Sequence, residues 1–430
     1  VWALHHDVLG FLGRVAAEFG DIVYFTVGPI RVVLLNHPDY IRQVLQAGHR
    51  NFVKGRPLAL SKHLLGEGLL TSEGEVHARQ SRVVQPAFHP ERVRAYGTVM
   101  ADCAARLSGR WRHGATVDLL REMTDLTMAV AGKTMFNWDV ESGVAGAIGH
   151  AHEEALSLFS RVSIPFAEWL LRLPLPSTRR FYRAKAELDA TIHRLIAERK
   201  CDGRDHGDLL SMLLLAEERE DGGSAMTDAQ VRDQALTLFL TALDTTSLAL
   251  TWTWYAIAQH PAVEADLHAE LDRVLGERLP TVDDLEWLTY TRMVFLEALR
   301  LYPPTYAIAR ESREAFPAGP YMVPAGTLVL ISPWVMHRDP RYFPDPERFD
   351  PQRWNGGGGS RPPRFAYFPF GGGPRGCIGQ GYAIQEGTLV IATLGRHWRM
   401  RVASDQRVAF RPLINLRPKH GMRMILERRR

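Results

Sequence analysis

The chain has 430 residues, 46% of them apolar and 23% charged, with a formal net charge of +4. Such content builds a large core, excludes a disordered chain, and, with 52 Lys/Arg against 48 Asp/Glu, gives little support to a nucleic-acid role. Three cysteines, Cys103, Cys201 and Cys377, with no CxxC spacing, argue against a disulfide scaffold or zinc ribbon and fit a reducing cytoplasm.

The first residues, VWALHHDVLGFLG, carry histidines and an Asp, and their apolar run is too short for a signal peptide or membrane anchor. The absence of a leading Met leaves room for a removed upstream segment. Ile22–Val27 and Arg31–Leu35 alternate apolar and polar residues around Gly28-Pro29 and predict a hairpin. Most of the chain beyond has helical periodicity, without a repeat of fixed period. Thr227-Asp-Ala-Gln230 predicts a capping-box start, followed by an apolar helix that stops at Pro261. Asp244 and the threonines argue for a buried core helix rather than a membrane span. Thr327–Ile331 and the residues around Met422–Leu426 predict extended chain. NGGGGS at Asn355–Ser360 is short and lies among the chemistry-bearing motifs, so it reads as a surface loop. No composition break divides the chain, and a single domain over 1–430 is expected, β-rich near 20–36 and 305–332.

Four stretches carry chemistry. FGGGPRGCIG, Phe370–Gly379, places Cys377 among glycines at 371, 372, 373, 376 and 379. Those glycines let the backbone bend tightly and approach a ligand, and N–H groups in such a bend tune a metal-bound sulfur. Arg375 is placed to meet an anion and Phe370 to shield the sulfur; together these features describe a thiolate loop gripping a flat, anionic metal cofactor. A lone cysteine is more often structural, but not in these surroundings. In the long helix, Asp244-Thr245 sets a carboxylate beside a hydroxyl in an oily setting, either a proton relay or a Thr that back-bonds and kinks the helix. In FLEALRLYPP, Glu297 and Arg300 lie three apart on one helix face, a spacing that alone reads as a surface ion pair. DPERFDPQRW adds Arg348 between two prolines, which completes a candidate Glu–Arg–Arg lock.

In order and spacing these motifs resemble the cytochrome P-450 superfamily, the haem-thiolate monooxygenases, in a bacterial-type soluble form, over nearly the whole chain. The resemblance implies a mainly α fold with small β-sheet regions, a triangular helical prism with a long central helix over haem b. It implies Cys377 as the axial thiolate to haem iron, favouring O–O cleavage. Arg375, Arg310 in AIARES and His77 in GEVHARQSRVV would meet haem propionates, with Phe370, Gly371 and Gly379 shaping the loop. Asp244 and Thr245 would relay protons to iron-bound dioxygen, and Glu297, Arg300 and Arg348 would form a structural triad. Two positions depart from the family: Ser81 stands where an Arg usually follows His77 by four, and Ala242 where Gly is frequent. At the first, either one propionate contact is lost or Arg82 or Arg79 replaces it by a shifted geometry, and weaker haem retention is expected.

The implied activity inserts one atom of dioxygen into an apolar, mid-sized substrate, with fatty acids and terpenoids favoured. A peroxide-driven hydroxylase and a catalytically silent haem domain are the alternatives, and the intact Asp244-Thr245 pair disfavours both. Electrons would come from a separate ferredoxin or flavodoxin with its reductase, docking near Arg79, Arg82, Arg361 and Arg364. Leu240, Ala242, Ala307, Ile308, Leu413 and Ile414 would line the substrate pocket, with Leu58–Leu70 and a helix pair around Leu156–Leu175. Lys54, Arg56 and Lys62 are candidate anchors for a substrate carboxylate. Nothing demands more than a monomer, nor a membrane anchor.

Overall fold

The computed structural model describes residues 6–55, 58, 61–138, 173, 175–215, 226–356 and 362–429. The helix pair expected near Leu156–Leu175, most of the Asn355–Ser360 loop, Arg56 and Arg361 lie outside the described residues. The chain divides into two compact units. One comprises 1–55, 104–123 and 245–430; the other comprises 56–103 and 124–244.

The first unit holds a five-stranded sheet in the order Ile22–Val27, Ile30–Leu35, Leu328–Ile331, Ile308–Ser312, Phe52–Lys54. The expected hairpin is present, with Ile22 opposite Leu35 and Gly28 at φ +58° in its turn. Its second strand pairs in parallel with Leu328–Ile331. Val32, Val33, Leu34 and Leu35 are all buried because that strand is covered on both faces. Leu34 packs with Leu12 and Val23. Val33 and Leu35 pack with Ile41, Leu45, Phe365 and Phe368. The core of this sheet thereby reaches the residues just ahead of the cysteine loop. The region expected around Met422–Leu426 proves extended from Arg423, in a strand Arg423–Arg428 that pairs with Thr116–Asp118 and Trp398–Val402.

The second unit is helical. Its helices include Gly74–Val84, Pro176–Asp202 and Leu209–Leu215. Arg199 holds both oxygens of Asp208, at 2.8 and 2.7 Å, and donates to the Phe136 carbonyl at 2.9 Å. This clasp ties the C-terminal end of Pro176–Asp202 to its neighbours.

The long helix spans Asp228–Gln259, 32 residues. Its capping box is formed: Thr227 N–H donates to Gln230 Oε1 at 2.9 Å, and Gln230 N–H to Thr227 Oγ1 at 3.3 Å. Pro261 opens the next helix. By length and composition the long helix is apolar enough to cross a membrane, but 83% of its most apolar window is buried inside the protein. It is a core helix, and the Asp244 carboxyl sits in it 5% exposed. The division between the units falls within it, between Asp244 and Thr245.

Candidate functional site

The cysteine loop follows a half-turn at Gly373–Arg375 and leads into the helix Gln380–Gly395. Gly373 has φ +67°, and a Cβ there would stand 1.9 Å from the Leu45 carbonyl oxygen. A Cβ on Gly372 would stand 2.4 Å from the Phe365 ring. No side chain fits at either place, so the glycines exist for close approach of the loop to its own protein wall. The loop then closes on itself. Cys377 N–H donates to the Phe370 carbonyl at 2.9 Å, and Gly371 N–H to the Phe368 carbonyl at 2.9 Å.

Cys377 is exposed as a residue, yet its thiol is crowded by protein. Desolvation raises its pKa, and the N–H of Gly379 opposes that by donating to the sulfur. Gly379 is also the N-cap of a 16-residue helix, so the positive end of the helix dipole faces the same atom. One protein-supplied donor and a helix N-terminus around a single thiol suit a sulfur that carries negative charge.

Arg310 lies on the strand Ile308–Ser312, in register with Val329 and Lys54, and is buried at 9% exposure. It donates to the Ala309 carbonyl at 2.9 Å. Arg375 is half-buried in the turn ahead of the cysteine. Ile308 stands against the loop, its Cδ1 3.6 Å from where a Gly371 Cβ would be. Ala307 is half-buried beside it. The Tyr306 hydroxyl donates to the Leu413 carbonyl at 2.9 Å, and Leu416 N–H donates to the Pro304 carbonyl at 2.8 Å. These two bonds gather Ala307, Ile308, Leu413 and the exposed Ile414 at one place in the first unit.

In the second unit, His77 is buried on the helix Gly74–Val84, on the stripe shared with Gln80 and Val84. Ser81 continues that stripe, whereas Arg79 and Arg82 are exposed and project from other faces. Neither arginine shares the face of Ser81. Leu240 is buried and Ala242 half-buried on the long helix, with Asp244 a turn further. Thr127 Oγ1 donates to the Leu243 carbonyl at 3.2 Å, adding an outside hydroxyl to the helix next to Asp244.

One expected assignment changes. Glu297 and Arg300 are both fully buried and pair through two bonds, at 2.9 and 2.8 Å. The third member is Arg353, not Arg348. Arg353 Nε donates to Glu297 Oε1 at 3.0 Å, while Arg348 contributes only its backbone carbonyl, 2.9 Å from Arg300 Nη2. The Arg348 side chain is exposed. The physical reason is the turn chemistry: Asp350 caps a short helix at Pro351–Trp354, and this rotates Arg353 and Trp354 inward. Trp354 Nε1 donates to Glu297 Oε2 at 2.9 Å and Asp350 N–H to Oε1 at 3.0 Å. With every lone pair engaged, a buried carboxylate is tolerated. The arginine in PQRW, five residues beyond Arg348, was the signal available in the sequence.

The cytochrome P450 family model matches residues 3–421. The chain belongs to the cytochrome P450 family. It is 40% identical to cyclooctatin synthase of Streptomyces melanosporofaciens, over 98% of this chain and 91% of that protein. It is 39% identical to cyclooctat-9-en-7-ol 5-monooxygenase of the same organism, over 93% and 86% of the two chains. Pentalenene oxygenase of Streptomyces avermitilis is 32% identical, over 99% and 93%. The protein is therefore a P450 monooxygenase with haem as its cofactor, and its reaction takes dioxygen, an organic substrate and electrons from a redox partner. The residues present fit that group. The loop offers one soft donor beneath a helix N-terminus, and two arginines in the same unit match the carboxylates of a flat anionic ring.

Proposed function

We propose that this P450 hydroxylates a cyclic terpenoid, inserting one atom of dioxygen into a C–H bond of a mid-sized, largely apolar framework. The observation that carries this is the identity of 39–40% over nearly the full chain to two proteins of one kind, one of them named for a cyclic alcohol substrate. The side chains assigned to the pocket, Leu240, Ala242, Ala307, Ile308, Leu413 and Ile414, carry no charge. A fatty acid would need a cation for its carboxylate. Lys62 pairs with Glu67 at 2.7 Å, which argues against its serving.

When bound, the haem supplies the iron at which dioxygen is activated. Cys377 would be the residue that holds the iron, with the Gly379 N–H donating to its sulfur and the helix N-terminus nearby. Arg310 and Arg375 would anchor the ring carboxylates, and His77 is the further residue that the family resemblance assigns to a propionate. Asp244 and Thr245 hold and pass protons, as a carboxyl and hydroxyl set side by side in an apolar helix do. Apolar side chains exclude water and orient the substrate. The expected electron donor is a ferredoxin or flavodoxin with its reductase, guided by the exposed Arg79, Arg82 and Arg364. The free cysteines are consistent with a cytoplasmic protein.

The test is a titration of ferric protein with pentalenene, cyclooctat-9-en-7-ol and palmitic acid, followed at the haem Soret band. A saturable shift with either cyclic compound and none with palmitic acid supports the reading. A shift with palmitic acid alone overturns it.

A further inference from the structure

The helix Pro261–Leu275 carries Glu264, His268 and Asp272 at spacings of four, a single stripe. Two arginines of the C-terminal sheet region hold the ends of that stripe. Arg401 clasps Glu264 with two bonds, Nη1 to Oε1 and Nη2 to Oε2, both 2.7 Å. Arg429 Nη2 reaches both oxygens of Asp272, at 2.9 and 2.7 Å. His268 lies between the two clasps and has neither. It is 4% exposed, and its Nδ1 and Nε2 are both without a hydrogen-bond partner.

The register of the sheet fixes what stands opposite. Arg428 pairs with Trp398, and the Arg429 N–H donates to the His397 carbonyl at 2.8 Å. Arg401 is thus level with Glu264, and position 397 is level with Asp272. Residues two apart on a strand share a face and advance about 7 Å; residues four apart on a helix advance about 6 Å. Arg399, midway between 397 and 401, therefore comes level with His268. Arg399 is exposed, and among the described residues no carboxylate holds it in an ion pair. Its register partner Glu427 turns instead to Arg401, 3.5 Å from Nε.

The three levels are unequal. The outer two set a carboxylate against a guanidinium. The middle one sets an imidazole against a guanidinium, with no acid between them. Burial first, then the charges of Arg429, Arg399 and Arg401, push the His268 pKa down to about 3, so the ring is neutral near pH 7. A neutral imidazole still has one N–H to donate, and a buried donor without an acceptor is costly. An anionic acceptor would meet that N–H and the planar fork of Arg399 together.

We propose that the middle level is a binding site for a small oxyanion, phosphate or carboxylate in kind, held by a His268 ring N–H and the Arg399 guanidinium. Arg401 and Arg429, each fixed by its own acid, add positive charge on either side. Solvent reaches the site beside Arg399 and Asp272, both exposed. The site lies past the C-terminal end of the 16-residue helix Gln380–Gly395, about 24 Å along its axis from the cysteine loop. A bound anion would tie the helix Pro261–Leu275 to the C-terminal sheet without touching the haem chemistry.

The test is thermal unfolding of the holoenzyme in sodium phosphate, sodium acetate and sodium chloride at one pH and equal ionic strength, so that screening is matched. A ligand that binds only the folded protein raises the midpoint. The site predicts a midpoint higher by about 3 °C in phosphate or acetate than in chloride, the larger rise naming the kind of anion. Arg399→Met, a change at an exposed position, is expected to abolish the rise. Arg407→Met removes the same charge from an exposed position outside both strands and is expected to keep it. His268→Glu supplies the missing acid and is expected to abolish the rise as well; if that protein does not fold, the two arginine variants decide. No rise in the parent with either anion overturns the proposal. So does a rise of equal size in all the proteins, which is what exclusion of the salt from the protein surface alone would give. Loss of the rise in Arg407→Met, or its survival in Arg399→Met or His268→Glu, also overturns it.

Discussion

The backbone N–H of Phe368 donates to Nε2 of His337 at 3.0 Å. That bond joins the buried Glu297–Arg300 pair to the cysteine loop. Nε2 accepts, so the ring proton lies on Nδ1, which faces the Arg300 carbonyl at 3.2 Å. Arg300 Nη1 in turn donates to the His337 carbonyl at 2.7 Å. The Phe368 carbonyl then receives the Gly371 N–H, at the start of the loop. The Glu–Arg pair thus reaches Cys377 through one neutral histidine.

That histidine gives the fold an acid limit. Burial first, then the charge of Arg300, pushes the His337 pKa down to about 3. Its ordinary value is near 6.5, so between those values the unfolded chain binds the extra proton, and stability falls as pH drops through that window. The slope contributed is at most about 1.4 kcal/mol per pH unit. His337→Gln removes this proton and is expected to flatten urea-unfolding stability between pH 6.5 and 5 relative to the parent. An equal slope in both proteins would contradict it.

Arg353 and Arg348 separate by the same method. Arg353→Met leaves the buried Glu297 short of a partner and is expected to cost about 3–5 kcal/mol. Arg348→Met removes an exposed side chain and is expected to stay within about 0.5 kcal/mol, with the carbonyl contact kept. Chemical denaturation of the two holoenzymes decides it, and a larger loss from Arg348→Met would restore the assignment expected from sequence.

Glu386, on the helix that follows the cysteine, is buried with Oε1 unpartnered. Burial raises its pKa to about 8. The folded protein therefore holds a proton that the unfolded chain, with a carboxyl near 4.5, has released. Stability is retained below that lower value and lost as pH rises toward 8. Glu386→Gln keeps the shape without the ionisation. It should match the parent near pH 5 and exceed it near pH 8 in denaturation experiments; a parent that is as stable as the variant at pH 8 would refute this.

Ser81 is the position at which we propose that a haem contact is missing. It lies on the stripe of His77, and neither Arg79 nor Arg82 shares that face. Ser81→Arg is expected to slow transfer of haem to apomyoglobin several-fold, and an unchanged or faster transfer would show that the lost contact does not limit retention.

Much of this was legible in the chain because the signals were local. The hairpin turn at Gly28-Pro29, the Thr227–Gln230 capping box and the glycine run before Cys377 each state their geometry within a few residues. The core assignment of the long helix needed only Asp244 and the threonines. Arg353 was missed because its direction depends on the Asp350 cap and the turn at Pro351, and two arginines five apart look alike without it. His337 carries no motif; its role comes from contacts with Arg300 and Phe368, 37 and 31 residues away. The meeting of His268 with Arg399, on a helix and a strand far apart in the chain, is likewise long-range.

The most direct measurement is isotope incorporation. The protein, with a surrogate ferredoxin and reductase, NADPH and 18O2, is incubated with cyclooctat-9-en-7-ol and with pentalenene, and products are read by mass spectrometry. A hydroxylated product of either compound carrying one 18O atom, absent in the Cys377→Ala variant, is expected. Product oxygen that comes from water, or product formation that survives Cys377→Ala, would contradict a cysteine-held haem monooxygenase acting on a cyclic terpenoid.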